Sequence, residues 1–216
     1  MQRDDSTAMS TDQSRFPVKI QTVPYIRRNT EIYYPQVFGM TNPAVQQRIN
    51  YTIQLKTKEL IDLQSQSQVE GHTTMTGCYE LKTNERAVLS LTQLNFAYTP
   101  PMAHGMTFLN SLTFDVTTGK DYRLSELFKP GSDYAARINE QVRKQIRERD
   151  IQLLGEFTGI QPDQDYYLAD KALVIYFQLY EITPYAFGFP MFPISVYVFE
   201  DIAAENSPLG RMLPAT

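Results

Sequence analysis

Tryptophan is absent from the 216-residue chain, cysteine occurs once and histidine twice. One thiol, Cys78, excludes an intramolecular disulfide and any cysteine-built zinc site. His72 and His104 alone exclude a histidine-rich metal centre. No apolar run reaches the roughly 18–20 residues needed to cross a bilayer, and the best stretch, 186–198, is broken by Pro190 and Pro193. The opening MQRDDSTAMSTDQSR holds no hydrophobic segment and does not read as a signal peptide. The expectation is therefore a cytoplasmic chain, or one whose signal or anchor lies upstream of Met1. Catalytic signatures are missing too: there is no G-x-S-x-G, H-E-x-x-H, Walker loop, G-x-G-x-x-G or C-x-x-C. A net charge of −4 and a pI near 5.3 leave no general attraction to nucleic acid or anionic lipid.

What is present is a globular composition, 42% hydrophobic and 20% charged, with 14 Tyr and 12 Phe. Such a chain makes one ordinary domain, or two small halves sharing a core. Tyrosine this abundant suits half-buried strands and contact surfaces. The most apolar stretch is 173–199, LVIYFQLYEITPYAFGFPMFPISVYVF. Its first part, 173–182, has apolar residues at consecutive positions, as a strand buried on both faces does. The breakers Pro184 and Gly188 then predict a loop, and 194–199 predicts a returning strand.

The residues before 17 are polar and without periodicity, which predicts a disordered tail over 1–16. Strand-like alternation follows at 18–23 and 31–37, with Pro35 placing the second at an edge or ending it. Asn42-Pro43 is a helix start. The helix it opens should run over about 43–65, with Val45, Ile49, Ile53, Leu60 and Leu63 on one face. Segments 72–81 and 86–98 predict a hairpin turning at 82–85, and 106–116 a further strand. Ser132 predicts the cap of a second main helix over about 132–148, with Tyr134, Ile138, Val142 and Ile146 inward and Arg137, Arg143, Lys144, Arg147 and Arg149 on a solvated basic face. The expected division is an N-terminal half over 17–105, a C-terminal half over 106–200, and a small, polar, peripheral tail over 201–216. Arg48-Ile49-Asn50 and Arg137-Ile138-Asn139, each near the start of a main helix, form a faint internal echo consistent with two related halves.

Few residues invite chemistry. Cys78 sits inside a predicted strand, where a small buried side chain is expected. His104 lies in a Pro/Gly-rich loop with Pro100 and Met102 and should be exposed. Glu181 is the one acid in the apolar stretch; it predicts a structural acid that pairs with a cation or caps backbone N–H groups, a carboxylate turned to an edge, or a carboxyl of raised pKa. A general acid there would need a second carboxylate, for which Asp115 and Asp170 are the candidates. Of the loop aromatics, Phe187, Phe189 and Phe192 are expected in the core and Tyr185 at the surface.

Three motifs in order carry a resemblance: YPQVFGMTNPAVQQRIN at 34–50, then Phe114-Asp115 through Thr118-Gly119-Lys120 to 124–128 (LSELF), and YEITPYAFG at 180–188. Together they resemble the extracellular domain of lysozyme-sensing anti-sigma-V factors, and the non-catalytic N-terminal region of a peptidoglycan deacetylase of bacilli. The resemblance implies an α+β fold of two related halves, each an antiparallel sheet packed by one main helix. It implies an extracytoplasmic, cell-envelope protein that is not an enzyme and uses no cofactor or metal. Its partner would be a protein such as lysozyme, or a cell-wall glycan, and it would meet a membrane only through an anchor outside this chain. By the same likeness the partner surface falls on Pro100, Met102, His104, Thr183, Pro184, Tyr185 and Phe187. The alternative is a peptidoglycan-acting hydrolase or deacetylase-like enzyme with a carboxylate site near Glu181.

Overall fold

The computed structural model describes residues 18–214; the expected tail over 1–16 lies outside them. Six strands form one sheet in chain order: β1 (Lys19–Arg27), β2 (Thr30–Phe38), β3 (Thr74–Glu85), β4 (Val88–Tyr98), β5 (Met106–Asp115) and the short β6 (Lys120–Asp121). A second sheet holds β7 (Tyr166–Ala169), β8 (Ala172–Tyr176) and β9 (Met191–Ser195). The helices are α1 (Pro43–Gln66), α2 (Tyr134–Glu148) and α3 (Pro208–Met212). The fold is α+β, with one main helix against each sheet. All strand pairs are antiparallel except β2 with β3, which run parallel over Thr30–Ile32 and Met75–Gly77. That contact ends before Pro35, so the missing proline amide costs no bond to β3.

Helix α1 starts as its sequence dictates. Asn42 accepts from the Ala44 and Val45 amides, and Pro43 takes the first helical position. Its inward face is Val45, Ile49, Ile53, Thr57, Leu60 and Gln64. The first three pack on Val37, Leu89, Leu91, Leu112 and Phe114 of the sheet. Burying each such side chain is worth about 1.5–3 kcal/mol. Leu63, expected inward, is exposed. From Leu60 the apolar row continues to Gln64, which donates to the Asn95 and Met106 carbonyls at 2.8 and 2.6 Å and so closes the end of the sheet. Helix α2 begins at Tyr134, not Ser132: its N-cap is Asp133, whose carboxylate faces Arg137 at 3.0 Å.

The second sheet and α2 lie on the face of the large sheet opposite α1. Strand β7 crosses that face, held by three small hydroxyls. Thr83 Oγ1 donates to the Leu168 carbonyl, Ser90 Oγ accepts from the Leu168 amide, and Ser111 Oγ donates to the Tyr166 carbonyl. This explains why the hairpin turns later than its polar residues suggest. Thr83 and Asn84 are buried inside β3, Asn84 donating to the Val18 carbonyl. The turn falls on Arg86 and Ala87, both at positive φ, as a tight two-residue hairpin requires. Strands β5 and β6, placed by sequence with the C-terminal half, belong to the six-stranded sheet.

The apolar stretch at 173–199 is shorter in strand than expected. Only β8 and β9 are extended; 185–187 and 196–199 are single 3-10 turns. Around β8 lies the largest core, with Phe177, Phe192, Ile194, Val196 and Phe199 against Leu127, Ile138 and Val142. The C-terminal tail is not peripheral. Leu209 and Met212 are fully buried there, and Arg211 forms a bidentate pair with Asp115 at 2.9 and 3.0 Å.

Candidate functional site

Two loops from distant parts of the chain meet at one edge of the molecule. The first, after β4, runs through the cis Pro100-Pro101 bond to Gly105. The second, between β8 and β9, carries Tyr180, Glu181, Thr183, Pro184, Tyr185 and Phe187. Their junction is a ring cluster. The imidazole of His104 stacks on Tyr185 with centroids 4.2 Å apart, and Tyr180 lies 5.5 Å from Tyr185. Tyr185 Oη donates to the Gly105 carbonyl at 3.1 Å. The same carbonyl sits 2.8 Å from His104 Nδ1, so Nδ1 carries the proton. In the neutral ring Nε2 then accepts from the Tyr180 hydroxyl, 3.2 Å away. Gly105 is required for this approach: a Cβ there would lie 2.3 Å from the Phe96 ring and 2.7 Å from the Ala97 carbonyl.

Of the partner residues expected from sequence, His104 and Tyr185 meet in this cluster, and Pro100, Pro184 and Phe187 are exposed on the same two loops. Phe187 is 43% exposed and is not core. A turn bounded by Pro184 and Gly188 lifts it out of the chain's apolar path. Phe189 is half-buried, and Phe192 is core as expected. Tyr185, expected at the surface, is half-buried beneath His104. Met102 is half-buried in its loop, and Thr183 is fully buried. Sequence reading missed Tyr180, which stands 45% exposed at positive φ beside His104.

The acids near this loop hold structure. Glu181 is exposed in a turn, not enclosed in a strand, and among the described residues it meets no cation within ion-pair distance. Its Oε2 accepts from the Gln178 amide at 2.7 Å, capping the turn behind it. The Gln178 side chain donates to Asp165 and to the Leu109 carbonyl, both at 2.7 Å, and accepts from the Leu109 amide at 3.2 Å. Gln178 thereby mimics a strand along the free edge of β5. Burial pushes Asp165 above the usual carboxylate range; the Gln178 bond opposes the shift and the charge of Glu181 adds to it. Asp115 is committed to Arg211, and Asp170 occupies the β7–β8 turn.

Beside the loops, part of the sheet face that carries β7 is uncovered among the described residues. Cys78 lies there, exposed and not buried, because odd-numbered residues of β3 near it face α1. The basic face of α2 is largely engaged within the chain. Arg137 pairs with Asp133 and Asp201, Arg149 donates to the Met191 carbonyl, and Arg143 to that of Thr158. No helix among the described residues is long and apolar enough to cross a membrane.

Residues 125–197 match the model of a family described as a protein of unknown function, DUF3298. Two crystal structures of proteins from that family share the fold. One, from Bacteroides fragilis, has a TM-score of 0.67 at 13% identity and covers 90% of this chain and 97% of its own. The other, from Pseudomonas aeruginosa, has a TM-score of 0.66 at 13% identity and covers 94% and 98%. No curated protein matches the chain. The matched segment contains the second loop and β7 to β9, but not the first loop.

Proposed function

We propose that this chain is a non-enzymatic binding domain of a bacterial cell-envelope protein, acting outside the cytoplasm. Its partner surface is the edge built by the 99–105 and 180–188 loops. The observation that carries the reading is the His104–Tyr180–Tyr185 cluster, in which two loops are locked together by stacking and by a shared carbonyl. Such a pre-set aromatic edge loses little conformational entropy on contact. The partner class, a lysozyme-like protein or a cell-wall glycan, is taken from the likeness of the three motifs at 34–50, 114–128 and 180–188 to the anti-sigma-V sensors. A binding role is favoured over a hydrolytic one because Glu181, on the second loop, and Asp165 are both tied to Gln178. Hydrogen exchange with and without lysozyme, and with and without soluble peptidoglycan fragments, tests the placement. One of the two should slow exchange at 99–105 and 180–188 together. Protection confined to α2 or to β1 would move the site elsewhere.

A further inference from the structure

The uncovered part of the sheet face forms a two-lobed groove. One lobe is a cleft of about 90 Å³ lined by Cys78, Leu94, Leu109, Phe189 and Met191, and also by the paired Glu80 and Lys82. The other is a wider hollow of about 240 Å³ bordered by Glu31, Tyr33 and Thr76; it shares Cys78 and Leu94 with the first. From these two lobes we infer that the groove receives an extended segment of a partner protein, one aliphatic side chain in the narrow lobe and an adjacent Lys or Arg against Glu31.

Three features select that occupant. The narrow lobe is smaller than the roughly 150 Å³ apolar cavity that takes a benzene ring, so it has room for about one branched side chain. The groove continues a face that already recognises extended backbone, since β7 is held across it by the hydroxyls of Thr83, Ser90 and Ser111. Exposed Thr76 offers a hydroxyl along the open part of β3. The charge on the rim is also one-sided. Lys82 is engaged by Glu80 and by the Tyr167 ring, whereas among the described residues Glu31 meets only the Tyr33 hydroxyl. A cation beside the aliphatic residue completes that carboxylate. This groove is separate from the His104–Tyr180–Tyr185 edge, and the inference stands independently of a partner there.

Because Cys78 is the only cysteine, its alkylation by iodoacetamide reads occupancy of the groove in the intact chain. The probes are an acetylated, amidated peptide Ser-Thr-Leu-Lys-Thr-Ser and its counterpart with Glu in place of Lys. At twice its Kd the Lys peptide should slow alkylation about threefold, the mass-action factor. The Glu peptide should not slow it. Glu31→Gln should raise the half-protecting concentration of the Lys peptide roughly fivefold, the size of one exposed charge contact, while Tyr185→Ala should leave it unchanged. Equal protection by both peptides, or by neither at millimolar concentration, overturns the proposal. So does stronger protection by octanoate, which would mark a lipid site. Slowing that depends on protein concentration alone would mark a second copy as the occupant and also overturn it.

Discussion

Tyr185 couples two chemistries in one side chain: its ring packs under His104 and its hydroxyl holds the neighbouring loop. Tyr185→Phe should leave the stack and lose one hydrogen bond, lowering stability by about 1 kcal/mol in a urea melt. Asp115 and Asp121 make opposite pH predictions. Burial pushes Asp115 upward, but the hydrogen bonds of Arg211 and Thr117 outweigh it and hold the carboxyl well below the usual range. Its contribution is therefore present above the unfolded value of about 4 and is lost as pH falls below it. Asp115→Asn leaves Arg211 without its charge partner and should cost about 3 kcal/mol, the low end for a buried pair because Arg211 reaches solvent. At Asp121 burial prevails over the Thr113 amide bond and the Lys56 charge, and the carboxyl rises to about 6. The folded chain binds that proton more tightly than the unfolded chain does. Stability from this group is thus full below about pH 4 and lost as pH rises to about 6. Melting temperatures from pH 4 to 6 should show Asp121→Asn losing that downward slope. Single residues were the least legible scale in the sequence. Cys78 and Phe187 have burial opposite to their polarity, because it depends on which part of a sheet face is covered and on one loop excursion.

At the scale of elements, the Arg-Ile-Asn echo acquires physical content. Ile49 and Ile138 are both fully buried. Asn50 Oδ1 accepts from the Val37 amide at 2.9 Å, and Asn139 Oδ1 accepts from the Ile160 amide at 2.8 Å. Arg48 and Arg137 each donate to a loop carbonyl, Thr118 and Val198, at 3.3 Å. In both halves one helical turn therefore supplies a core plug, a clamp on an extended segment and a tie to a loop. Asn139→Ala should raise amide exchange at Ile160 and cost about 1–2 kcal/mol, since it strands a half-buried N–H. Gln178→Ala should free the 180–188 loop, seen as faster exchange there with α1 unchanged. Helix α1 was readable from its cap and periodicity, and α2 from periodicity alone, since Ser132 does not cap it. The end of the 173–182 strand was not. An apolar run gives no sign of where pairing stops, and here β8 stops at Tyr176 while Phe177 and Ile182 remain packed on the core.

For the molecule as a whole, α1 covers one face of a six-stranded sheet, and β7 to β9 with α2 cover part of the other. The two loops of the proposed edge come one from each sheet, so the edge exists only when both are docked. The hydroxyls that dock β7 were invisible in sequence, where Thr83 reads as part of a turn and Ser90 and Ser111 as ordinary polar strand positions. Their partners lie 55 to 85 residues away. The resemblance put a partner surface on both loops, but neither it nor any residue pattern foretold that they meet. The most direct test is calorimetric titration of the intact chain with lysozyme and, separately, with muropeptides, in wild type and in Tyr185→Ala. Binding of one of these by the wild type, weakened by at least about tenfold in Tyr185→Ala with the melting transition still cooperative, is the predicted result. Heat from neither ligand, or equal affinity in the two proteins, would contradict it.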